Sequence, residues 1–277
     1  MGMRIATNVA SLTAQHNMVN NTREMQKSMS QLSTGSRITK AGDDAAGLAI
    51  SENLKSQIRS FGQASRNAND GISMIQTAEQ GMGEVSNIMT RLRELGIQAG
   101  SDTIGDTERG FIQKEVDAMK SEIQRVADST TFGSRKLLDG TGGVYDIHVG
   151  TGANASTDWI GFDSGVSNVT TANLGINDLD FSSKDGARAG LAQLDAAQSN
   201  VNGSRATLGA LSNRLNSTVD VLSTMSDNMS AANSQIRDTD IAMSSSQLAK
   251  NNILLQGTTA TLAQANQQPA LALKLIG

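Results

Sequence analysis

The sequence contains no cysteine and a single proline, Pro269, among its 277 residues. Without cysteine the chain forms neither disulfides nor thiolate metal sites, and it has no thiol nucleophile. Upstream of Pro269, no proline is present to interrupt a long helix. Aromatic residues make up only 3% of the chain. Because aromatic side chains supply much of the buried area of a compact core, their shortage argues against a thick globular interior.

The chain also has no large excess of charge of one sign and no long continuous hydrophobic run. A formal net charge of −4 gives no polybasic argument for nucleic-acid binding. Asparagine and glutamine interrupt the apolar C-terminal segment 251–277, so it lacks the roughly 20 continuous apolar residues that span a bilayer. The N-terminus has no continuous apolar core of a cleaved signal peptide. We therefore expect no nucleic-acid partner and no membrane insertion, and, if the chain is exported, a route that needs no cleaved leader.

Residues that carry chemistry are few and scattered. The two histidines, His16 and His148, fall in unrelated predicted elements. The adjacent carboxylates Asp43 and Asp44 fit the start of a helix better than a metal site. The acidic segment 238–240 lacks the further oxygen ligands and the glycine of a calcium loop. The sequence thus predicts no enzyme, no metal site and no cofactor.

Both chain ends carry a narrow helical seam of mostly apolar residues. The N-terminal seam advances in steps of three and four, and the C-terminal seam repeats every seven residues. The N-terminal seam consists of Ile5, Val9, Leu12, His16, Val19, Thr22, Met25, Met29 and Leu32, and the C-terminal seam consists of Ile241, Leu248, Leu255 and Leu262. This pattern predicts that the chain doubles back and that its ends pair as a coiled coil. Because the seams are narrow, we expect the pair to be unstable in an isolated chain.

Three longer helical patterns and one different region lie between the ends. Apolar stripes predict a first long helix from Asp44 onward, a second antiparallel to it, and a third on the C-terminal side. Gly96 interrupts the first of them at a helix-interior position where alanine would be better. Within 130–190, "VYDIHVG" and "DWIGFD" alternate and predict a β-hairpin. The predicted fold class is mainly α: a long antiparallel helical bundle with paired terminal helices and a small hairpin region in the middle.

Several ordered segments resemble bacterial flagellin. The resemblance covers roughly residues 4–138 and 205–277. Its most specific segments are "LSTGSRITKAGDDAAGLAIS" at 32–51, "RNANDGISMIQTAEQGM" at 66–82 and "IRDTDIAMSSSQLAKNNILLQ" at 236–256. The resemblance implies a structural subunit that self-assembles into the flagellar filament for swimming motility. It also implies secretion through the flagellar type III system to an extracellular filament.

The resemblance further implies a domain organisation and partners. Residues 1–43 with 236–277 would form an inner-tube coiled coil. Residues 44–235 would form an outer-tube helical bundle that includes the region 130–190, without large outer domains. The implied partners are further copies in a helical homopolymer, a flagellar export chaperone and the export apparatus, and the hook-associated and cap proteins.

Two sets of surface residues follow from the same resemblance. Arg91, Leu95 and Glu115 match the flagellin surface that the flagellin-sensing Toll-like receptor contacts. Flagellins also carry O-linked sugars in their exposed middle, which is rich here in serine, threonine and asparagine. The candidate acceptors are Ser156, Thr157, Ser164, Ser167, Thr170 and Thr171.

Two other classes of protein share part of this pattern. A hook–filament junction protein also has paired terminal seams. A match confined to the ends, with a long non-helical middle, would favour this class, and the sequence does not show that pattern. A coiled-coil signalling protein of the chemoreceptor type also uses alanine- and glutamine-rich heptads, but it would need a transmembrane segment or a symmetrical hairpin tip. The sequence favours the filament subunit over both.

Overall fold

The computed structural model describes the backbone of residues 7–276 and the side chains of residues 7–267. Helices dominate this part of the chain, as the sequence predicts. The helices are α1 Val9–Thr34, α2 Ala45–Ala99, α3 Asp106–Ser129, α4 Ala155–Asp158, α5 Lys184–Arg237 and α6 Ile241–Ile276. The strands are β1 Thr131–Phe132, β2 Arg135–Lys136, β3 Val144–His148 and β4 Trp159–Asp163. The predicted mainly helical fold class is confirmed.

The chain divides into two compact units. One unit comprises residues 1–56 with 228–277, and the other comprises residues 57–227. These boundaries fall within α2 and α5, whereas the sequence places the division at 43 and 236. The assignment of 1–43 with 236–277 to an inner tube and of 44–235 to an outer tube stays a prediction.

The unit 57–227 is organised around α2, α3 and α5. Side chains join α2 to α5 in antiparallel order, because Arg93 pairs with Asp195 (3.3 Å) and Ser86 further back accepts a hydrogen bond from Gln198 (2.8 Å). The core side chains lie on one stripe of each helix and on the segment that covers them. They include Met82, Val85, Met89, Leu92, Ile112, Val116, Ile123, Leu194, Val201, Leu208, Phe162 and Phe181.

The predicted hairpin is present and packs on α2. Strands β3 and β4 pair antiparallel, with Ile147 opposite Ile160 and His148 opposite Trp159. Ile147 lies so close to Gly71 of α2 that a Cβ at position 71 would be 2.5 Å from its Cδ1. The residue at 71 must therefore be glycine for the hairpin to approach the helix this closely.

Gly96 also has a packing role. It is buried on α2, where a Cβ would lie 3.0 Å from Leu191 and 3.0 Å from the ring of Phe181. The glycine makes room for these two side chains, which offsets the intrinsic helix cost that the sequence suggests.

Arg109 ties the end of α2 to the start of α3. Its buried guanidinium donates to the carbonyl of Ala99 (2.9 Å) and to that of Ser101 (2.9 Å), and it pairs with Asp106 (2.6 Å). Ala99 is the last residue of α2, where backbone carbonyls lack helical partners. Arg109 therefore satisfies polar groups that the turn would otherwise leave buried without a donor.

We expect Arg109→Met to lower the free energy of unfolding by about 3 kcal/mol, because buried carbonyls lose a charged donor. Urea denaturation of the full chain, followed by circular dichroism, measures this loss. The matched control is Arg125→Met, which removes an exposed pair with Glu122 on the same helix and should change little. Equal urea midpoints for the two variants would contradict the role of Arg109.

Candidate assembly interface

The terminal helices α1 and α6 pair in antiparallel order. At one end, Asn8 Nδ2 donates to the carbonyl of Ala265 (2.7 Å), and Ser11 Oγ donates to Asn266 Oδ1 (2.8 Å). At the other end, the N–H of Thr239 donates to the carbonyl of Gly35 (2.9 Å). The predicted pairing of the two chain ends is confirmed.

The seam between α1 and α6 follows a strict heptad, with steps of three and four residues. Its positions are buried or half-buried residues at this spacing on each helix. On α1 they are Ser11, Ala14, Met18, Asn21, Met25, Ser28 and Leu32. On α6 they are Ser244, Leu248, Asn251, Leu255, Thr258, Leu262 and Ala265. Small and polar residues thus occupy about half of a seam that coiled coils usually fill with large apolar side chains.

The antiparallel direction and the heptad spacing define the layers of this seam. In six of the seven layers a small or polar residue of one helix falls opposite a larger apolar residue of the other. These layers are Ala14 with Leu262, Met18 with Thr258, Asn21 with Leu255, Met25 with Asn251, Ser28 with Leu248, and Leu32 with Ser244. The seventh layer pairs two small residues, Ser11 with Ala265. Each layer is compact but contains at most one long apolar side chain, so the pair buries little apolar surface on its own.

The structure divides the apolar residues of the predicted seams into two sets. Five of them lie half-buried in the seam: Met25, Leu32, Leu248, Leu255 and Leu262. The others are exposed and lie outside the seam: Val9, Leu12, Val19, Met29 and Ile241. Ile241 continues the heptad of α6, but α1 has already ended at Thr34 and leaves it uncovered. Ile5 lies outside the described residues.

We call the exposed apolar residues of the two helices the outer apolar faces. On α1 they are Val9, Leu12, Val19 and Met29, and on α6 they are Ile241, Met243, Ile253 and Leu254. Their exposure is substantial, reaching 61% for Val9 and 74% for Met243. The two helices thus leave more long apolar side chains on these faces than on the seam between them. Apolar patches of this kind mark surfaces that another protein covers.

A polar connection links the far end of α1 to the start of α2. Gly35 ends α1 in the left-handed conformation (φ 69°). The Asp43 carboxylate accepts hydrogen bonds from Thr39 and Lys40 and lies 3.5 Å from Lys27. The bonds from Thr39, more than the other contacts, hold the pKa of Asp43 below its usual value. Asp44 accepts from the N–H of Gly47 (2.8 Å) and so caps α2, as the sequence predicts.

Comparison with known proteins identifies the family. The model of the bacterial flagellin N-terminal helical region matches residues 5–142, and that of the C-terminal helical region matches residues 191–276. The chain belongs to the bacterial flagellin family. Flagellin of Halalkalibacterium halodurans is 40% identical over 274 residues, an alignment that covers 99% of this chain and 100% of that one. Flagellin of Bacillus subtilis is 40% identical over 308 residues, with the same coverage.

Solved structures agree with this assignment. The crystal structure of Bacillus cereus flagellin is 28% identical, with a TM-score of 0.51 and coverage of 61% of this chain and 94% of that one. A putative flagellar hook-associated protein from Vibrio parahaemolyticus has a TM-score of 0.59 but is only 16% identical, which shows a shared fold alone. The identity to flagellins along nearly the whole chain favours the filament subunit over a junction protein. The chain is a structural subunit of the bacterial flagellar filament, and it self-assembles.

The structure places the receptor candidates of this flagellin in two environments. Arg91 on α2 lies 3.1 Å from Glu115 on α3 and 2.9 Å from Glu94, and both side chains of the Arg91–Glu115 pair are accessible. The hydrogen bonds that Arg91 donates to Glu94 and to Glu115 raise its pKa, and the bond to Glu94 has the larger effect. Leu95, by contrast, is only 2% exposed and belongs to the core. Only Arg91 and Glu115 of the three are available to a partner in the folded chain.

The candidate sugar acceptors differ in the same way. Ser164, Ser167 and Thr171 are buried, and Ser164 and Thr171 donate to Gly143 and Gln124. Thr170 is half-buried and donates to Asn168. Their hydroxyls are engaged or enclosed in the folded chain, which argues against modification there. Two exposed acceptors remain on α4, namely Thr157 and Ser156, although the Ser156 hydroxyl donates to Asn154 Oδ1 (2.9 Å).

Groups that could support other functions are sparse in the described part of this flagellin. Within residues 7–267, no group of three or more histidine, aspartate or glutamate side chains is arranged to hold a metal ion. His148 Nε2 lies 2.9 Å from the carbonyl of Gly152, inside its own hairpin loop. Over the same residues, no helix is both long and apolar enough to cross a membrane.

Proposed function

We propose that the outer apolar faces of α1 and α6 are the surfaces through which copies of this flagellin pack in the filament. The observation that carries the proposal is the distribution of apolar side chains: small and polar residues occupy about half of the seam, while Val9, Val19 and Ile253 are exposed. Covering these faces removes apolar surface from water and stabilises the assembly. A contact between different faces of successive copies builds a helical filament when it does not close into a ring.

The remaining assignments extend this proposal. Residues 1–43 with 236–277 form the inner tube, residues 44–235 form the outer tube, and no large outer domain is inserted. The chain leaves the cell through the flagellar type III system with an export chaperone, and it works outside the cell with hook-associated and cap proteins. Its role is structural, not enzymatic. The similar length of the relatives supports the compact organisation, since the alignment to the Halalkalibacterium halodurans flagellin covers 100% of that chain.

Seeded polymerisation tests the proposal. Purified chain at neutral pH, given short filament fragments as seeds, should lengthen them, as measured by light scattering and electron microscopy. Persistently monodisperse chain across a range of salt and seed concentrations would overturn it.

The proposed receptor surface is limited to Arg91 and Glu115, because Leu95 is buried. Arg91 and Glu115 present an exposed ion pair that a flagellin-sensing Toll-like receptor can contact, whereas Leu95 supports the helix from inside. Arg91→Ala should weaken binding to the receptor ectodomain without changing the thermal midpoint of the chain. Unchanged binding would remove Arg91 from this role.

Sugar attachment is proposed at Ser156 and Thr157, because both are exposed on α4 in the loop of the hairpin. The intact mass of protein from its native source should exceed that of the unmodified chain. Peptide mapping should assign the excess to the segment that contains these two residues. An unmodified mass would exclude the proposal.

A further inference from the structure

The seam between α1 and α6 fits more than one register. The small or polar residues Ala14, Asn21 and Ser28 repeat every seven residues on α1, and Leu248, Leu255 and Leu262 repeat every seven on α6. In the observed register they pair as Ala14 with Leu262, Asn21 with Leu255, and Ser28 with Leu248. A shift of one heptad pairs Ala14 with Leu255 and Asn21 with Leu248. Both registers place a leucine against a small or polar residue, so the seam does not discriminate between them.

The buried asparagine of the seam, Asn251, does not select one register over the other. A single asparagine in a coiled coil sets the register when it has one matching partner. Asn251 is buried, and its Nδ2 has no hydrogen-bond partner among the described residues. It falls opposite Met25 in the observed register and opposite Met18 after a shift of one heptad. Methionine meets the amide in both cases, so Asn251 does not select either.

The register matters because it positions the two outer apolar faces relative to each other. A shift of seven residues moves one helix along the other by about 10 Å, at 1.5 Å of rise per residue. Val19 on α1 and Ile253 on α6 would then present a different combined surface to the next copy. The residue that sets the register therefore also sets the surface offered for assembly.

The contacts that distinguish the registers lie where α1 and α5 end. Arg37 follows α1, and its guanidinium donates from Nη2 (2.7 Å) and Nε (3.3 Å) to the carbonyl of Ile236. The backbone N–H of Arg37 donates to the carbonyl of Arg237 (2.6 Å), and Gln31 Nε2 donates to the carbonyl of Arg37 (2.9 Å). The carbonyl of Ile236 lies in the last turn of α5, where carbonyls have no helical partner. A charged donor therefore meets an acceptor that α5 itself leaves free.

The opposite end of the pair is less selective. Asn8 donates to the backbone carbonyl of Ala265, and Ser11 donates to the amide of Asn266. These are neutral contacts, weaker than those made by a charged donor. The carbonyl of Ala265 has no helical donor because Pro269, four residues later, has no N–H, so Asn8 adds to the selection of the register, but through a weaker bond than that of a charged donor.

We propose that Arg37 is the positioning residue that fixes the register of α1 against α6, and with it the offset between the outer apolar faces. The inference rests on the proposed packing of copies through those faces. It assigns the largest part of the discrimination between registers to one charged side chain at the end of the helical pair, beside the backbone hydrogen bond from Thr239 to Gly35 (2.9 Å) at the same junction.

Cysteine pairs test this, because the chain has no cysteine of its own. Ala14→Cys with Leu262→Cys reports the observed register, and Ala14→Cys with Leu255→Cys reports the shifted one. Each pair is placed in three chains: one that keeps Arg37, one with Arg37→Met, and one with Arg37→Lys, which retains a charged donor. Arg23→Met, at an exposed position on α1, is the matched control. Disulfides within one chain are separated from those between chains by mobility on non-reducing gels.

With Arg37 present, the observed-register pair should form disulfide at least about tenfold more readily than the shifted pair, since charged hydrogen bonds favour one register. Arg37→Met should reduce this ratio toward one, whereas Arg37→Lys and Arg23→Met should largely preserve it. An unchanged ratio in Arg37→Met overturns the proposal.

The ratio is measured both in seeded filaments and in the unassembled chain. In the unassembled chain the helices pair only transiently, but disulfides trap each register in proportion to its population, so a variant that does not polymerise still gives a result. Failure of the chains that keep Arg37 to lengthen seeds would count against packing through the outer faces. The register ratio in the unassembled chain would still decide the role of Arg37.

Discussion

Val19→Asp should stop filament elongation while leaving the fold of the isolated chain intact. Val19 is 52% exposed and lies outside the seam, so the chain tolerates a charge there. In the filament the same carboxylate would be enclosed by a neighbouring copy, and an unpaired buried charge costs several kcal/mol. Because each 1.4 kcal/mol is a factor of ten in affinity, the concentration of chain needed for growth should rise at least about a hundredfold.

The matched control for this substitution is Asn17→Asp. Asn17 is exposed on the same helix but lies off the outer apolar face, so the variant adds the same charge without disturbing that face. Seeded growth followed by light scattering compares the two variants, and circular dichroism checks that both are folded. Equal growth of Val19→Asp and Asn17→Asp would show that the outer face of α1 does not pack between copies.

Brief trypsin treatment of the unassembled chain should remove both ends and leave a folded core that no longer polymerises. The expected cuts lie near Arg37 or Lys40 and near Arg237 or Lys250. The physical reason is the composition of the seam, in which each layer has at most one long apolar side chain. Ordering the backbone costs about 1–2 kcal/mol per residue, and such a seam offsets little of that cost alone. Neighbouring copies supply the missing apolar contacts, so ordering of the ends is coupled to assembly.

Mass spectrometry of the digest, together with circular dichroism of the core, measures this outcome. The same digestion of assembled filaments provides the control, because there the ends should be protected. Ends that resist trypsin in the unassembled chain as well as the core does, or a trimmed core that still forms normal filaments, would contradict the coupling.

The elements themselves were predictable from local patterns. The alternation of "VYDIHVG" and "DWIGFD" locates β3 and β4, and the carboxylate of Asp44 caps α2 where the sequence predicts a helix start. The short helix α4 between the two strands was not predicted. It depends on Asn154, whose side chain accepts from the N–H of Ser156, a contact available to many loops that contain asparagine.

The seam was harder to predict, because hydrophobicity is an incomplete guide to burial here. Selecting apolar residues at steps of three and four mixes two faces of α1, since Val19 lies on the outer face and Met25 in the seam. Ser11 and Ser28 are buried although they are polar, because they fit the close approach of the two helices. A heptad of small residues was the available signal. It is weak, because serine and alanine are common throughout this chain.

Local sequence patterns do not predict contacts between residues that are far apart in the chain. Gly96 looks unfavourable in the sequence because only the folded chain brings Phe181 and Leu191 against it. Leu95 follows the helical pattern of a surface that matches a receptor site, yet it lies in the core. The partners of Arg37 and Arg109 are backbone carbonyls, which carry no sequence signature.

The most direct test of packing through the outer apolar faces is the accessibility of a single thiol. Val19→Cys introduces the only cysteine of the chain, and Ser156→Cys on the hairpin loop serves as the exposed control. Both thiols should react rapidly with a water-soluble maleimide in the unassembled chain. In filaments, we predict that Cys at position 156 stays reactive while Cys at position 19 becomes protected. Equal reactivity of the position 19 thiol before and after assembly would contradict the account.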